Sequence, residues 1–338
     1  LGGRRMSTVY LVQDGVVIRK TGERLKVTLK KETLLDVPLI KVDQLVAFGN
    51  VTFTQAALRE LLERGVDLVF LTSQGRYLGR LVPKLSKNGL LRRAQYAVAC
   101  DHKRSLELAR GFVRGKLHNM RTLLQRAERE KSGAGFSQAI AQLKAMMERL
   151  ARATSIDEVR GIEGAGTAVY FQAFAQLIKA EGFWFPGRVR RPPTDPVNAM
   201  LSFGYVLLYK DLQAACSIVG FDPYIGYLHG DRYGKPSLAL DLMEEFRPIL
   251  VDSIVLSLIN KRMITTSDFQ VGLGQVHRMK KRALKTFLQA YEEKKRTEIK
   301  HPSLGCRVTY WRSLELQARI LAKAVTGELN RYVPFLIR

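Results

Sequence analysis

VDLVFLTSQGRYLGRLVPKLSKNGLLRRAQYAVA, residues 66–99, holds the change of pattern that decides the fold. VDLVFLT and RYLGRLVP are apolar, strand-like runs on either side of Ser73-Gln74-Gly75, a turn signal. Residues 84–90 are polar and carry a glycine, which reads as a linker. From Leu91 onward the apolar residues recur at helical spacing. Upstream the period of two continues. STVYLVQ and VVIRK flank Asp14-Gly15, a dipeptide suited to the positive φ of a tight hairpin, so the two runs are expected to pair. RLKVTLK and PLIKVDQLVAF follow, and Thr54 is placed to cap one helix whose apolar face is Ala57, Leu58, Leu61 and Leu62. Downstream, helices are expected over 91–129, 137–153, 164–179, 196–218, 237–262 and 275–298, with another in LELQARILAKAVTGE. The expected class is therefore α+β. A small N-terminal β domain with one helix, residues 6–83, serves dimerisation and precedes a larger all-α catalytic domain, residues 91–338.

The 338 residues are 46% hydrophobic, enough for a real core and for more than one domain. Lys and Arg number 55 against 31 acids, a formal charge of +24. Such an excess needs counter-charge, and nucleic-acid phosphate is the usual source. It divides unevenly, with +5 in residues 1–83 and +19 in residues 84–338, so the helical part is expected to face DNA or RNA. Its clusters are Arg92-Arg93, Arg188 with Arg190 and Arg191, Lys280-Lys281-Arg282, and Lys294-Lys295-Arg296. Any one of them alone reads more readily as a solvated helix face than as a binding site; the summed excess is what points to nucleic acid. No apolar run is long enough to span a membrane, and Asp252 interrupts the best candidate, RPILVDSIVLSLINK. Leu1–Arg5 before Met6 do not form a signal peptide. Cys100, Cys216 and Cys306 are widely spaced, the pattern of reduced thiols in a cytoplasmic protein.

In so basic a chain, the acids in LHGDRYGKPSLALDLMEEFRP, residues 228–248, stand out. Asp241 and Glu244 are three apart and share a helix face, away from the Leu238, Leu242 and Phe246 stripe. His229 precedes them across a Gly- and Pro-containing loop that permits a sharp return. A further acid, Glu163 in RGIEGAGTAVYFQAF, lies at the expected mouth of an apolar helix, where the helix dipole favours a carboxylate. Each has a plainer reading: Glu163 as a helix-start acid, His229 as a structural histidine, Asp241 and Glu244 as a face salt-bridged to Arg247. Taken together, two carboxylates and one imidazole make a three-ligand site suited to Mg²⁺ or Mn²⁺, the metals of phosphoryl transfer on nucleic acid.

GIEGAG around Glu163, RRPPTDPVNAMLSFGY from Arg190, GFDPYIGYLHGDRYGKPSLALDLMEEFRP from Gly220, and the β-then-α layout together resemble the CRISPR-associated spacer-integration family Cas-one over essentially the whole chain after Met6. The resemblance implies a metal-dependent DNA endonuclease and integrase of antiviral CRISPR adaptation. A terminal 3′-hydroxyl of a spacer-precursor DNA attacks a phosphodiester of the repeat. It further implies that Glu163, His229 and Glu244 bind Mg²⁺ or Mn²⁺, with Asp241 a further acid of the catalytic site. Arg190, Arg191, Lys280, Lys281 and Arg282 are the expected DNA contacts. The implied partners are DNA, a second copy of the chain, and a dimer of the small Cas-two protein. No Cys cluster suits an iron–sulfur centre, and no fused reverse transcriptase or Cas-four-like segment is expected. Two other functions fit the same residues: a structure-selective nuclease of branched DNA using water as nucleophile, and a non-catalytic nucleic-acid scaffold.

Overall fold

The computed structural model describes residues 8–30, 32–81, 88–130, 135–189, 192–230 and 233–338. The chain divides into two compact units, Leu1–Leu85 and Ser86–Arg338.

The first unit contains β1 (Thr8–Leu11), β2 (Val16–Thr21), β3 (Arg24–Leu29), β4 (Glu32–Pro38), β5 (Gln44–Phe48), β6 (Val51–Phe53), α1 (Gln55–Glu63), β7 (Asp67–Leu71) and β8 (Tyr77–Leu81). They form two four-stranded sheets, ordered β1-β5-β7-β8 and β4-β3-β2-β6. The hairpin expected at Asp14-Gly15 does not form. β1 pairs in parallel with β5, whereas β2 pairs with β3 and β6. The turn residues bond elsewhere: Asp14 Oδ1 accepts from the Asn50 amide at 2.9 Å, and the Gly15 amide donates to Asn50 O at 2.7 Å. Those bonds hold the chain as it passes from one sheet to the other. β2 pairs instead with β3 across a turn at Gly22-Glu23, and the β7–β8 hairpin forms across Ser73-Gln74-Gly75 as the sequence predicts. Thr54 accepts from the Ala57 amide and caps α1. Ile18, Leu25, Leu45, Leu61 and Leu68 are fully buried in the unit's core.

The second unit is mostly helical: α2 (Gly89–Cys100), α3 (His102–Glu130), α4 (Ser137–Leu150), α5 (Ile156–Gln176), α6 (Pro196–Val219), α7 (Ser237–Phe246) and α8 (Ser253–Asn260), then α9 (Lys281–Arg296) and α10 (Tyr310–Thr326). It is not wholly α. Two short hairpins are present, β9 (Phe269–Val271) with β10 (His277–Met279), and β11 (Glu298–Lys300) with β12 (Arg307–Thr309). β10 takes residues expected in a helix from Gln275, and α9 starts only at Lys281. The expected helix from Leu91 to Arg129 is two, because Asp101 leaves helical geometry at the end of α2 and its side chain accepts from the amides of Lys103 and Arg104 at the start of α3. A π-helical stretch, Arg247–Asp252, joins α7 to α8. Pro248 in that stretch has no amide to donate to Glu244, and a widened turn absorbs the missing bond.

α3, α5, α6 and α7 supply the centre of this unit, with Phe112, Tyr170, Leu208, Leu242 and Phe246 fully buried. The C-terminal segment is tied to α7 through a carboxylate. Glu245 accepts from the Tyr332 hydroxyl at 2.6 Å and the Phe335 amide at 2.7 Å. Gly115 on α3 leaves room for it: a Cβ there would stand 2.7 Å from Glu245 Cγ. Burial pushes the Glu245 carboxyl up to about 8, against the two hydrogen bonds, which favour ionisation.

The sign of the resulting pH dependence follows. Between the ordinary Glu value and about 8, the unfolded chain has lost this proton while the folded chain keeps it, so stability falls as pH rises across that window. E245Q, which cannot ionise, is expected to flatten the urea-unfolding stability between about pH 5 and pH 8 by on the order of a few kcal/mol relative to wild type. Parallel profiles for the two proteins would show Glu245 ionised throughout.

Candidate active site

Three helices of the second unit bring the site together. Ser155 accepts from the Glu158 amide and starts α5 at Ile156, so Glu163 lies two turns inside the helix and not at its mouth. The helix-dipole argument for this acid therefore fails; a specific partner replaces it. Glu163 Oε1 forms an ion pair with the ammonium of Lys116, a residue of α3. It also accepts from the Thr167 hydroxyl at 3.0 Å.

The same ammonium lies 2.7 Å from Glu244 Oε2, a second ion pair. Glu244 Oε1 is 3.2 Å from Arg247 Nη2 and 4.0 Å from His229 Nε2. Burial alone would raise the Glu244 pKa. The charges of Arg247 and Lys116 outweigh it and hold the carboxyl at about 2, so Glu244 is an anion at neutral pH. The expected pairing with Arg247 is present for Glu244, but not for Asp241, and it is buried. Asp241, Glu244 and Glu245 are all buried, and the helix has no solvent face at these positions.

Asp241 has a different part from Glu244. One of its oxygens accepts from the Tyr227 and Leu228 amides at 2.6 and 3.0 Å, the other from the His229 amide at 2.9 Å and from His229 Nδ1 at 2.7 Å. Four donors around one carboxylate fix the loop and place the imidazole proton on Nδ1, leaving the Nε2 lone pair free to bind. Asp241 is therefore a positioning residue behind His229. Gly226 permits the close approach, since a Cβ there would be 2.8 Å from Asp241 Oδ2. Arg160 Nε donates to Leu228 O at 2.7 Å and clamps the loop from α5.

Beside Glu163 an open groove of about 560 Å³ runs along Thr167, Phe171, Phe185 and Arg188. Arg188 is held by Asn198 Oδ1 at 2.7 Å and Ser202 Oγ at 3.0 Å, and its guanidinium lies 5.3 Å from the Tyr205 ring centroid. Arg247 covers the same ring at 4.9 Å. The Tyr205 hydroxyl donates to Asp252 Oδ1 at 2.6 Å, and Tyr170 donates to the other oxygen at 2.9 Å.

Glu163 and Glu244 thus share the ammonium of Lys116, and His229 stands beside Glu244 at 4.0 Å. Among the described residues no three His, Cys, Asp or Glu side chains are close enough to ligate one ion as they stand. The donor set nonetheless fits a divalent cation: the two carboxylates already share a cation, and the imidazole beside them presents Nε2.

Residues 9–293 match the family of CRISPR associated protein Cas1. The chain belongs to that family. Its relative in Thermus thermophilus, CRISPR-associated endonuclease Cas1 3, is 42% identical over 339 residues, covering 100% of this chain and 99% of its own. A Cas6-RT-Cas1–Cas2 complex superposes with a TM-score of 0.81 at 26% identity, over 98% of this chain and 36% of the larger one. The fold also matches a casposase bound to integration product, with a TM-score of 0.87 at 24% identity over 97% of this chain and 93% of that one. Cas1 relatives thus share this α+β architecture from end to end.

The basic residues expected at DNA are less uniform. Arg190 and Arg191 lie outside the described residues. Lys280 and Lys281 are exposed. Arg282 is exposed too, but its Nε and Nη2 donate to both oxygens of Asp268 at 2.8 and 2.7 Å. Lys295 leaves its cluster altogether: it is buried, 3.1 Å from Asp211 and 2.7 Å from Glu292. Lys116 was missed from the sequence. The signal was present, because it falls on the stripe of α3 that buries Ala109, Phe112, Val113 and Met120. A lone cation on an apolar stripe needs a buried anion.

Asp241→Asn turns amide hydrogens toward the facing N–H groups. The variant is expected to lose about 1–3 kcal/mol in urea unfolding. The NMR shifts of the His229 ring nitrogens should then move from one fixed tautomer toward an exchanging pair. An unchanged tautomer would place its control elsewhere.

Proposed function

We propose that this chain is a divalent-metal-dependent DNA endonuclease and integrase of CRISPR adaptation. The single observation that carries the reading is the chain of contacts from Glu163 through Lys116 to Glu244 and on to His229, with His229 locked by Asp241 and Glu163 lining an open groove. The name of the Thermus relative as an endonuclease supports the first activity.

In this reading Glu163, His229 and Glu244 hold Mg²⁺ or Mn²⁺. The ion supplies electrophilic polarisation of the scissile phosphate and charge stabilisation in its pentavalent transition state. The chain's own residues do the remainder. Asp241 keeps the His229 proton on Nδ1, so Nε2 serves as a ligand and not as an acid. Arg247 keeps Glu244 ionised in its buried setting. Arg188, at the wall of the groove, supplies a fixed positive charge for a phosphate. The attacking oxygen is the 3′-hydroxyl of a spacer-precursor strand and the target is a repeat phosphodiester.

A formal charge of +24 supports DNA as the partner. Lys280, Lys281 and part of the basic helical surface, together with Arg190 and Arg191, are proposed to contact phosphate. A Cas2 partner is supported by the named assembly of the Cas6-RT-Cas1–Cas2 complex. Two attacks on one short DNA need two active sites, hence a homodimer. The first unit, at +5, meets less like-charge repulsion than the second, and its two sheets end in β1, β8, β4 and β6, edges that a partner could cover. Among the described residues no helix is long and apolar enough to cross a membrane. Cys100, Cys216 and Cys306 are free thiols, which supports a place in the cytoplasm.

The test is an oligonucleotide with a free 3′-hydroxyl, incubated with supercoiled repeat-containing DNA and Mn²⁺. Joined product is expected, and E163Q and H229A should lower it about a hundredfold or more with an unchanged circular-dichroism spectrum. Cleavage of branched DNA with no joining would select the nuclease that uses water. Metal-independent binding with neither reaction would select the scaffold. Affinity for unrelated duplexes should fall with salt at a log–log slope of roughly −0.9 per phosphate contacted, and a flat response would remove the phosphate contacts. Light scattering at micromolar protein should give the mass of a dimer that deletion of residues 6–83 abolishes; a monomer would rule out the proposed interface.

A further inference from the structure

Lys116 has no part in the reaction just described, yet its ammonium stands where the two carboxylate ligands meet. Its side chain is 1% exposed, its ammonium pairs with Glu163 Oε1, and it lies 2.7 Å from Glu244 Oε2. We propose that Lys116 is a placeholder for the divalent ion: its ammonium holds Glu163 and Glu244 together when no ion is bound and gives them up when one enters. The inference rests on the metal-binding reading above.

Charge balance is the first argument. Glu163 and Glu244 carry two negative charges, and Lys116 with Arg247 carries two positive charges. The cluster is already neutral, with Glu244 and Lys116 almost wholly buried. A divalent ion entering with Lys116 still in contact would leave two uncompensated positive charges in a poorly solvated place, which is strongly unfavourable. The second argument is geometric. The Lys116 ammonium stands 2.7 Å from Glu244 Oε2 while Arg247 meets the other oxygen, so at Oε2 an entering ion has one ion pair to replace. The third is mechanical. Glu163 and Glu244 stand on different helices and would repel each other in the absence of a cation, so some cation must hold them near their binding positions. A lysine suits this better than an arginine, because its compact charge rides on a flexible four-carbon stem. The pair reaches the open groove on the Glu163 side, where that side chain is 22% exposed and lines the groove wall.

The experiment uses the full chain and K116M, with free Mn²⁺ read by electron paramagnetic resonance and the thermal midpoint read in EDTA and in saturating Mn²⁺. Without its competitor, K116M is expected to bind Mn²⁺ tighter than wild type, on the order of tenfold or more. Its midpoint should fall below wild type in EDTA, and the gap should close in Mn²⁺. Equal or weaker Mn²⁺ binding overturns the inference. So does an equal loss of midpoint in both media, the mark of a purely structural lysine. Failure to fold even in Mn²⁺ also overturns it, because a placeholder is dispensable once the ion is bound. K116M/E163Q removes one of the two repelling carboxylates and should regain midpoint in EDTA relative to K116M; no recovery counts against the placeholder. If wild type, E163Q and H229A all fail to bind Mn²⁺ at millimolar concentration, it is the metal reading itself that has failed.

Discussion

The ammonium of Lys116 ties Glu163 on α5 to Glu244 on α7 from its own place on α3. An ion of either sign left alone at this depth would cost several kcal/mol in lost hydration. No member can therefore be removed without exposing the other two to that cost unless another ion takes its place, and the three helices are fixed against one another by electrostatics as well as by packing. Arg247 extends the same logic. It lies against Glu244, covers the Tyr205 ring, and through that ring meets the tyrosine pair that donates to Asp252. The π-helical stretch that begins at Arg247 is where this chain of contacts joins the backbone.

Three acids on little more than one turn of α7 show how one short helix serves several purposes. Asp241 faces the loop and arranges His229, Glu244 faces the cation, and Glu245 faces the C-terminal segment. Three carboxylates within five residues would repel one another if all were ionised in a common environment. They are separated by protonation and partner instead: Glu244 is held as an anion by cations, whereas burial pushes Glu245 up to about 8. The C-terminal segment therefore packs beside the site without adding a charge to it at neutral pH.

The sequence announced the two-part architecture because the apolar period changes from two to 3.6 near residue 84, and a period is a local property. It announced His229, Asp241 and Glu244 because a return loop and one helix bring them together within sixteen residues. What it did not announce was non-local. Asp14-Gly15 has the chemistry of a hairpin turn, yet the strands on either side join different sheets, and only the partner strands β5 and β6 decide that. Glu163 was legible as an unusual acid but not by its helix position, since the start of α5 is set upstream by Ser155. Lys116 escaped because a basic chain offers many lysines, and only its place on a buried stripe marks it out. Lys295 carries the same mark and the opposite lesson: a run of three basic residues included one committed to Asp211 and Glu292 inside the fold.

The scarcity of acids in this chain now has a physical account. With 31 acids against 55 Lys and Arg, a surface carboxylate would weaken attraction to phosphate and return little stability, because exposed pairs contribute only about 0–1 kcal/mol. Buried acids cost the phosphate field less and do more. Asp241 accepts four hydrogen bonds, Asp252 accepts two tyrosine hydroxyls, Asp211 meets Lys295, and Glu244 meets Lys116 and Arg247. Each of these carboxylates fixes something that packing alone would leave free: a ring tautomer, a pair of aromatic side chains, a lysine stem, or the approach of two helices. The positive excess and the interior acids are therefore two sides of one arrangement, in which the carboxylates that shape the site stand inside the fold while the chain as a whole keeps a formal charge of +24.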